Sequence, residues 1–440
     1  MDNNIKLLLG ITDPNLTIDP KYQYTSYIEE KIIKNSKALL CYLYLSYLMY
    51  CPNCKALMLH NGTKVVNNVH LSSAGKKLVL SIRKQKYLCP ECKKTATAKF
   101  KDTNYHDHFS NAVKVKLVRD LSLSRPMYEI AADSFTSSNI IIRSLESIEN
   151  NFKVNRNWLP SHLSLDNFKS GKRFSSSGMS MCLINAVNHR IIDIIPERNN
   201  KFLRNYFIQY SYKARLSVMT ITVDLYAPYR SLIKELFPNT FIIADKFHVV
   251  TQAYTAMNKI RIRVMKEYGS GTHEYRALKR FWKLLLKNQD DVDYHRYYPR
   301  INFKYAELSD SEVLDRLFDM SSELKTAYEY YQLLLQMYRK NSCQLLNLLT
   351  DTSSWNLPPE MRQALKTIKK HKAEIENSFV LPRLTNGPIE GINNHIKVIK
   401  RIAYGYNNFK HFRLRILLSL KNNVTFFSTL KKLLDFHLIV

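Results

Sequence analysis

Glycine and long apolar runs are both scarce in this chain. Only 10 of its 440 residues are glycine, and neither a Walker pattern nor a GxGxxG motif occurs, so we do not expect a Gly-rich nucleotide-binding loop. The longest nearly apolar run covers residues 38–50, which is shorter than the roughly 20 residues that span a bilayer. The first residues lack the basic and apolar segments of a secretion signal. We therefore expect a soluble, cytoplasmic protein.

Acidic residues are also in short supply. The chain carries 37 Asp and Glu against 66 Lys and Arg, which gives a formal net charge of +29 at pH 7. This excess favours binding to a polyanion, because cationic side chains release counterions from a phosphate backbone. A hydrophobic content of 45% and an aromatic content of 12% exclude a wholly disordered basic tail. The length allows about three folded domains.

Four of the seven cysteines form two CPxC units, CPNC and CPEC. An odd number of cysteines without a secretion signal argues against a disulfide framework. Tetrahedral zinc takes four thiolates, and a two-residue gap lets one knuckle supply two of them. The spacing therefore predicts a closed, structural zinc site in a small zinc ribbon, rather than four coincidental core cysteines. Its ligands would be Cys51, Cys54, Cys89 and Cys92.

Three short helices are predicted after the second cysteine pair, over residues 110–123, 127–135 and 139–148. Pro126 opens the second helix, and residues 136–138 supply turn and cap chemistry before the third. Three helices with a polar turn between the last two resemble a helix-turn-helix. Such units also occur in purely structural roles, but the net charge of the chain favours DNA binding.

Two aspartates lie at the ends of predicted strands in the next region. Three strands, a helix, a strand, a helix and a strand are predicted over residues 162–244, an order that is typical of the ribonuclease-H-like fold. Asp166 and Asp224 each lie at the carboxyl end of a predicted strand, where ligands and metals bind at a sheet edge. Each alone is better explained as a turn residue. Together, in this strand order, they favour a divalent-ion site.

A third carboxylate, Glu390, lies in the first turn of a helix that is predicted to begin at Pro388. One face of this helix is lined by isoleucines at three- and four-residue steps. Another face would suit a metal bound beside a phosphate backbone, since it carries Glu390, Asn394, Lys397 and Arg401. The alternative is a first-turn Glu that complements the helix dipole on a solvated, charged face.

Asp245 and His248, in the segment ADKFHVV, follow the last predicted strand. In one interpretation they lie near the metal site, with Asp245 as a substitute ligand. In the other, which has equal weight, they are a turn aspartate and a hydrogen-bonded histidine.

Several long motifs resemble the ISL3 family of bacterial insertion-sequence transposases. They are CPNC…CPEC, LSLDNFKS, TVDLYAPYRSLIKELFPNTFIIADKFHVV and NGPIEGINNHIKVIKRIAYGYNNFKHFRLRI. The resemblance covers nearly the whole chain. It implies a DDE transposase with a zinc ribbon, a helix-turn-helix and a ribonuclease-H-like core that a helical insertion interrupts before its Glu.

Carried over by position, the resemblance implies a catalytic triad of Asp166, Asp224 and Glu390. It implies that these residues bind two Mg²⁺ ions, for which Mn²⁺ can substitute, and that Asp245 and His248 match a D-x-x-H signature. The implied partners are double-stranded DNA of the element's inverted repeats and of the target, bound by a homo-oligomer in the nucleoid of a bacterium.

Two positions depart from the family pattern. Asn167 stands where the family usually has an acidic residue after its first catalytic Asp. Lys55 stands where a Gly usually follows the first knuckle, at a position that favours a positive backbone angle.

The expected fold class is a mixed α/β (α+β), multidomain chain in five regions. These are an N-terminal region with the zinc ribbon (1–105), a helix-turn-helix (106–155), the first part of a ribonuclease-H-like core (160–250), an all-helical insertion (251–380), and the second part of the core with the Glu-bearing helix and a basic tail (381–440).

Two rival functions use only part of these features. A non-catalytic DNA-binding regulator or a decayed transposase would need only the zinc ribbon and the helix-turn-helix. A structural RNA-binding protein would explain the charge but not the carboxylates. The presence of all three carboxylates in their expected strand and helix contexts favours a DNA transposase that cleaves and transfers strands with divalent metal ions.

Overall fold

The computed structural model describes residues 3–33, 36–104, 107–351, 356–403 and 406–420. The chain forms two compact units. The terminal unit contains the described residues up to Lys153 and those from His395 onward, and the central unit is Val154–Asn394. Residues 421–440, the end of the predicted basic tail, lie outside the described residues. Mixed sheets and helices make the chain a mixed α/β, multidomain protein, as predicted.

The terminal unit begins with a helix and a six-stranded sheet. Its elements are α1 (Asn3–Leu9), β1 (Leu16–Ile18), β2 (Ile28–Ile33), β3 (Ser36–Leu45), β4 (Leu59–Ser73), β5 (Lys76–Leu88) and β6 (Thr95–Thr97). The strand order is β1-β3-β5-β4, with β2 paired to β3 and β6 to β5. Of these strands, only β5 is clear from the sequence, because it contains a run of apolar residues, which are buried in the structure. Most of the first half of β4 is exposed and polar, so it shows no such pattern.

Three helices follow the sheet, as the sequence predicts. They are α2 (Asn111–Ser122), α3 (Met127–Asp133) and α4 (Ser138–Ser147). The buried residues of α2 include Val113, Leu117 and Leu121, which recur at steps of four. A cap residue is predicted at the start of α4, and Ser137 occupies the N-cap position. The prediction of a capping side chain is wrong, because the Ser137 side chain makes no capping hydrogen bond.

The central unit contains a five-stranded mixed sheet with helices between its later strands. The elements are β7 (His162–Lys169), β8 (Met179–Asn185), β9 (Ile191–Ile195), α5 (Asn200–Phe207), α6 (Tyr212–Leu216), β10 (Thr220–Val223), α7 (Pro228–Leu236) and β11 (Phe241–Ala244). The strand order is β11-β10-β7-β8-β9. The pairs β7–β8 and β8–β9 are antiparallel, and the pairs β7–β10 and β10–β11 are parallel. One sheet face packs on α5 and α7 around Leu165, Val223 and Phe207.

The position of Asp166 differs from the sequence prediction. This residue lies inside β7, which continues to Lys169, rather than at its carboxyl end. The reason is that the antiparallel partner β8 pairs with β7 as far as Lys169, whereas pairing with the parallel neighbour β10 ends at Ser164. Asp224 directly follows β10, as predicted.

A large helical region follows β11. It consists of α8 (Lys246–Glu267), α9 (His273–Arg280), α10 (Trp282–Leu285), β12 (Tyr298–Arg300), β13 (Ala306–Leu308), α11 (Asp310–Phe318), α12 (Ser322–Lys340), α13 (Cys343–Thr350), α14 (Pro359–Lys370) and α15 (Lys372–Val380). The prediction of an all-helical segment is wrong at the short β12–β13 hairpin. The helices share one apolar core, which includes Met257, Leu334 and Met361.

Two helices complete the described chain, α16 (Gly387–Ile402) and α17 (Phe409–Leu420). The predicted apolar face of α16 is confirmed, because Ile389, Ile396 and Ile399 are buried. In the terminal unit, α17 packs against α2 and α4. Among the described residues, no helix has the length and apolar character needed to cross a membrane.

Arg415 attaches α17 to the turn between α2 and α3. Its side chain is buried, and its Nη2 donates hydrogen bonds to the carbonyl oxygens of Leu123 (2.9 Å) and Arg125 (2.8 Å). Leu123 is the C-cap of α2, so the guanidinium pairs with carbonyls that a helix end leaves unsatisfied.

We predict that Arg415→Ala lowers the free energy of unfolding by about 2–4 kcal/mol, because it removes a buried side chain, leaves a cavity and breaks two hydrogen bonds to backbone carbonyls. Chemical denaturation followed by circular dichroism measures the change. Lys410→Ala is the control, since Lys410 pairs with Glu149 at the surface of the same unit and should have little effect. Equal losses in the two variants would contradict this role for Arg415.

Candidate functional site

The four cysteines of the CPxC units meet in the terminal unit. All four Sγ atoms lie within 4.8 Å of one another. The Sγ–Sγ separations include 3.5 Å for Cys51–Cys92, 3.3 Å for Cys54–Cys89 and 3.7 Å for Cys54–Cys92. Sulfur atoms that bind a tetrahedral zinc at about 2.3 Å lie roughly 3.8 Å apart. The quartet therefore suits one structural zinc ion with a closed shell of thiolates.

The two knuckles have matching backbones, and each lies between antiparallel paired segments. In the first, the N–H of Lys55 donates to the carbonyl of Cys51 (2.9 Å), and the N–H of Cys51 donates to the carbonyl of Ala56 (2.8 Å). The second repeats both bonds at 3.1 Å and 2.9 Å. Lys55 and Lys93 occupy equivalent positions with φ of 62° and 57°. The positive angle expected at Lys55 is therefore present.

Backbone N–H groups favour the thiolate form in both knuckles. The N–H groups of Cys54 and Asn53 lower the pKa of Cys51 to about 6. The N–H of Cys92 lowers the pKa of Cys89 in the same way. The thiolate is the form that binds metal, so the folded backbone already favours it.

Three carboxylates lie in a row across the central sheet. Thr222 of β10 is in register with Ser164 of β7 and with Ile243 of β11. Two residues further along these three neighbouring segments are Asp224, Asp166 and Asp245. Because Asp224 and Asp245 directly follow β10 and β11 and Asp166 lies level with them on β7, the three aspartates lie side by side where the two parallel strands end.

Asp166 and Asp224 each accept a hydrogen bond from a different asparagine side chain. The Nδ2 of Asn393 donates to Asp166 Oδ2 (2.9 Å), and the Nδ2 of Asn167 donates to Asp224 Oδ2 (3.0 Å). The hydroxyl of Tyr229 donates to Asn167 Oδ1 (3.2 Å) and fixes that amide. An acidic residue at position 167 could not donate to Asp224, so the departure from the family pattern has a local structural role.

His248 lies between two of the carboxylates. Its Nε2 is 3.9 Å from Asp166 Oδ1 and 3.8 Å from Asp245 Oδ2. The nearby carboxylate of Asp166, with further attraction from Asp245 and Asp224, raises the pKa of His248. Burial raises the pKa of Asp245, which is only 3% exposed. Both residues of the D-x-x-H segment therefore lie at the carboxylate row.

Glu390 stands on α16, whose start is fixed to the same row by Asn386. The buried side chain of Asn386 accepts a hydrogen bond from Ser164 and donates one to the carbonyl of Leu165 (3.2 Å). Its backbone N–H donates to Asp245 Oδ1 (3.3 Å), and its carbonyl accepts from the N–H of Glu390 (3.3 Å). Asn386 is thus joined to β7, to Asp245 and to the first turn of α16.

The structure brings Asp166, Asp224, Asp245 and His248 to one edge of the sheet but does not bring the carboxylate of Glu390 into contact with them. Glu390 is exposed, three residues before Asn393 on the same helix. Apart from the cysteine quartet, no group of His, Cys, Asp and Glu within the described residues is close enough to hold one ion. Asn394, Lys397 and Arg401 follow Glu390 on the exposed side of α16, and their roles remain predictions.

Asn393 is the main residue that the sequence reasoning missed, since that reasoning selected the neighbouring Asn394. It is 8% exposed, and its Oδ1 has no hydrogen-bond partner among the described residues. An unpaired amide oxygen beside carboxylates supplies the hard oxygen ligands that Mg²⁺ prefers. The oxygen donors at this edge therefore have the chemistry that a divalent cation takes, although as they stand no three of the carboxylates are close enough to surround one ion. The three-residue step from Glu390, one helical turn, is the signal that could have identified Asn393.

We predict that the purified chain carries one zinc ion and that Cys51→Ser or Cys89→Ser removes it and unfolds the ribbon, because metal binding and folding are coupled in small modules. Elemental analysis and circular dichroism measure both effects. Cys41→Ser is the matched control, since Cys41 is buried in the same unit but outside the quartet. Zinc-free wild-type protein with an intact fold would contradict the prediction.

Comparison with known proteins gives two curated relatives. A protein of Lactococcus lactis subsp. lactis named "ATP-dependent protease" is 33% identical over 143 residues, which are 32% of this chain and 43% of that protein. The transposase for insertion sequence element IS1001 of Bordetella parapertussis is 25% identical over 275 residues, which are 60% of this chain and 61% of that protein. The chain therefore spans less than two thirds of the length of either relative.

A family model described as "Transposase", that of the ISL3 group of DDE transposases, matches residues 163–416. The matched range includes the carboxylate row, the helical region and most of the described part of α16 and α17. Since the match covers more than half of the chain, the protein belongs to the ISL3 family of DDE transposases.

Proposed function

We propose that this protein is the transposase of an insertion sequence and that it cuts and joins DNA at a metal site formed by Asp166, Asp224 and Glu390. The observation that carries the proposal is the row of aspartates across three neighbouring parallel segments, with the Glu390 helix fastened beside it through Asn386. The family match and the relation to the IS1001 transposase support it.

The sheet topology supports a ribonuclease-H-like core. Three antiparallel strands are followed by two parallel ones, and the first strand lies in the centre of the order β11-β10-β7-β8-β9. Helices separate the later strands, in the element order expected for that fold. In this proposal the region from α8 to α15 is the insertion that separates the two parts of the core.

Glu390 would complete the metal site when substrate and cation bind. Asn393, one turn later on α16, already contacts Asp166. Glu390 is exposed and, among the described residues, its carboxylate makes no hydrogen bond or ion pair, so it can turn toward the row at little cost. A multivalent cation between the three carboxylates would also reduce the repulsion between their negative charges.

The proposed chemistry needs no covalent enzyme intermediate. Two bound Mg²⁺ ions would activate the nucleophile and stabilise the leaving oxygen of an in-line displacement. Water first attacks a phosphodiester at the element end, so that a P–O bond forms and the bond to the 3′-oxygen breaks. The released 3′-hydroxyl then attacks a target phosphodiester and displaces its 3′-oxygen, which leaves as a hydroxyl. Asp166, Asp224 and Glu390 would hold the cations, and His248 would lie beside Asp166 as a neighbouring donor.

We propose that the terminal unit recognises the ends of the element through the zinc ribbon and a helix-turn-helix formed by α2, α3 and α4. The exposed side of α4 carries Ser138, Asn139 and Arg143 near its start. Recognition helices contact base edges with such residues, and Asn and Arg make the most specific contacts. The net charge of +29 would supply the sequence-independent affinity for phosphates.

We do not extend the protease name of the Lactococcus relative to this chain. ATP-dependent proteolysis needs a nucleotide-binding site, and the sequence contains no Walker pattern. The non-catalytic alternative, a DNA-binding regulator, would leave the aligned carboxylates and their hydrogen bonds to Asn167 and Asn393 without a role.

We predict that Glu390→Gln, Asp166→Asn and Asp224→Asn each abolish Mg²⁺-dependent cleavage and strand transfer, since an amide keeps the size of the side chain but loses the charge that holds a hard cation. Nicking and joining of a duplex with the element's ends measure activity. End binding and zinc content should remain close to wild type, because we assign both to the terminal unit.

Asp245→Asn is the informative comparison. If Asp245 only positions His248 and Asn386, some cleavage remains, whereas complete loss would identify it as a further metal ligand. Full cleavage by Glu390→Gln would contradict the proposed triad and would leave Glu390 as a solvated helix residue.

A further inference from the structure

Two consecutive residues in the first turn of α7 contact different parts of the central unit. Tyr229 is 3% exposed and belongs to the apolar core between α7 and the five-stranded sheet. Arg230 is partly exposed and reaches the helical region that follows β11. Successive residues of an α-helix lie about 100° apart around its axis, so one turn of α7 can contact both the sheet and the helical region.

Tyr229 connects α7 to Asp224 through the side chain of Asn167. Its hydroxyl donates to Asn167 Oδ1 (3.2 Å) and also lies 3.4 Å from the carbonyl oxygen of Arg198. The Nδ2 of Asn167 in turn donates to Asp224 Oδ2 (3.0 Å). Burial raises the pKa of Tyr229, so the phenol stays protonated at neutral pH and remains a donor. The position of Tyr229 therefore sets which edge of the Asn167 amide faces Asp224.

Arg230 connects the same turn of α7 to the junction of α14 and α15. Its Nε forms an ion pair with Glu374 Oε1, and its Nη1 donates to the carbonyl oxygen of Lys370 (3.2 Å). Lys370 is the last residue of α14, and Glu374 lies in the first turn of α15. One guanidinium therefore binds a carbonyl at the end of one helix and a carboxylate at the start of the next.

The burial of Glu374 makes this ion pair costly to separate. The Glu374 side chain is 7% exposed, and Nδ1 of the neighbouring, buried His371 lies 3.9 Å from its Oε2. Burial and the positive charge of Arg230 lower the pKa of His371, so the imidazole is neutral at pH 7 and Arg230 supplies the positive charge opposite Glu374. A buried carboxylate that loses its cation is strongly destabilised. The ion pair therefore holds α7 against the α14–α15 junction.

We propose that Tyr229 and Arg230 are positioning residues that couple the helical region to Asp224. The inference rests on the proposed function for its assignment of Asp224 as a metal ligand. The Arg230–Glu374 pair fixes the first turn of α7 against the α14–α15 junction, and Tyr229 fixes the Asn167 amide against Asp224. The helical region then has a role at the metal site, because it holds one of the carboxylates in place.

The test measures Mn²⁺ binding to the full chain by titration followed by electron paramagnetic resonance, which detects the free ion. The binding that Asp224→Asn removes defines the site of interest. Tyr229→Phe keeps the aromatic ring and should raise the Mn²⁺ dissociation constant of this site about fivefold, as expected for one lost hydrogen bond. Arg230→Met combined with Glu374→Gln removes the ion pair without leaving a buried charge unpaired, and should also raise the constant about fivefold.

The combination of all three substitutions is the decisive variant. If the ion pair acts on Asp224 through Tyr229, losing both links should still raise the Mn²⁺ dissociation constant only about fivefold, because the second loss has nothing left to transmit. Two independent effects would instead multiply to about 25-fold, and that result would overturn the proposed coupling.

Arg204→Met is the matched control, because Arg204 pairs with Glu235 near the other end of α7, at the protein surface. It should leave the Mn²⁺ dissociation constant unchanged. Arg230→Lys keeps a positive charge opposite Glu374 and should stay within about twofold of wild type. A lower melting temperature with wild-type Mn²⁺ binding in the variant that combines Arg230→Met and Glu374→Gln would show a purely structural ion pair and overturn the proposal.

Two further outcomes separate this inference from the proposed function. An Asp224-dependent Mn²⁺ site that weakens in these variants, in a chain that cleaves no DNA, supports the coupling and contradicts the proposed cleavage. DNA cleavage and Mn²⁺ binding that both need Asp224, but that do not change in Tyr229→Phe or on loss of the ion pair, support the metal site and overturn the coupling.

Discussion

The buried side chain of Asn386 fixes the geometry on which the candidate active site depends. Its amide bonds to Ser164 and to the Leu165 carbonyl join segments that are more than 200 residues apart in the chain. Its backbone N–H reaches Asp245, and its carbonyl begins the hydrogen bonding of α16. A buried amide with all of these partners is costly to displace. The first turn of α16, and with it Glu390, is therefore held beside the aspartates.

The helical region can lie between the two parts of the site in the chain because it begins and ends next to the same strand, β11. Helix α8 begins directly after β11, and on the return path Asn377 of α15 donates its side-chain N–H to the carbonyl of Ile242 in β11 (2.8 Å). The helices between these points have their own apolar core. Because a folded insertion holds its own ends close together, it costs the core less loop-closure entropy than a disordered loop of the same length.

Local sequence patterns predict much of this architecture. The features that they miss depend on contacts between segments that are distant in the chain. The cysteine quartet follows from spacing alone, and β11 follows from the apolar residues 241–244 before Asp245. The continuation of β7 beyond Asp166 depends on pairing with β8, which no local pattern contains. The roles of Asn167, Asn386 and Asn393 cannot be predicted from local sequence either. The role of an asparagine in a strand, a loop or a helix depends on its tertiary hydrogen-bond partners.

The proposed chemistry requires that Asp166, Asp224 and Glu390 together hold divalent metal. Anomalous diffraction from crystals of the full chain soaked in Mn²⁺ tests it most directly, because manganese positions are then observed independently of activity. We expect anomalous peaks about 2.1–2.2 Å from carboxylate oxygens of Asp166 and Asp224, with the Glu390 carboxylate turned onto the same site. Manganese bound only between Asp245 and His248, or no manganese at the carboxylate row, would contradict it.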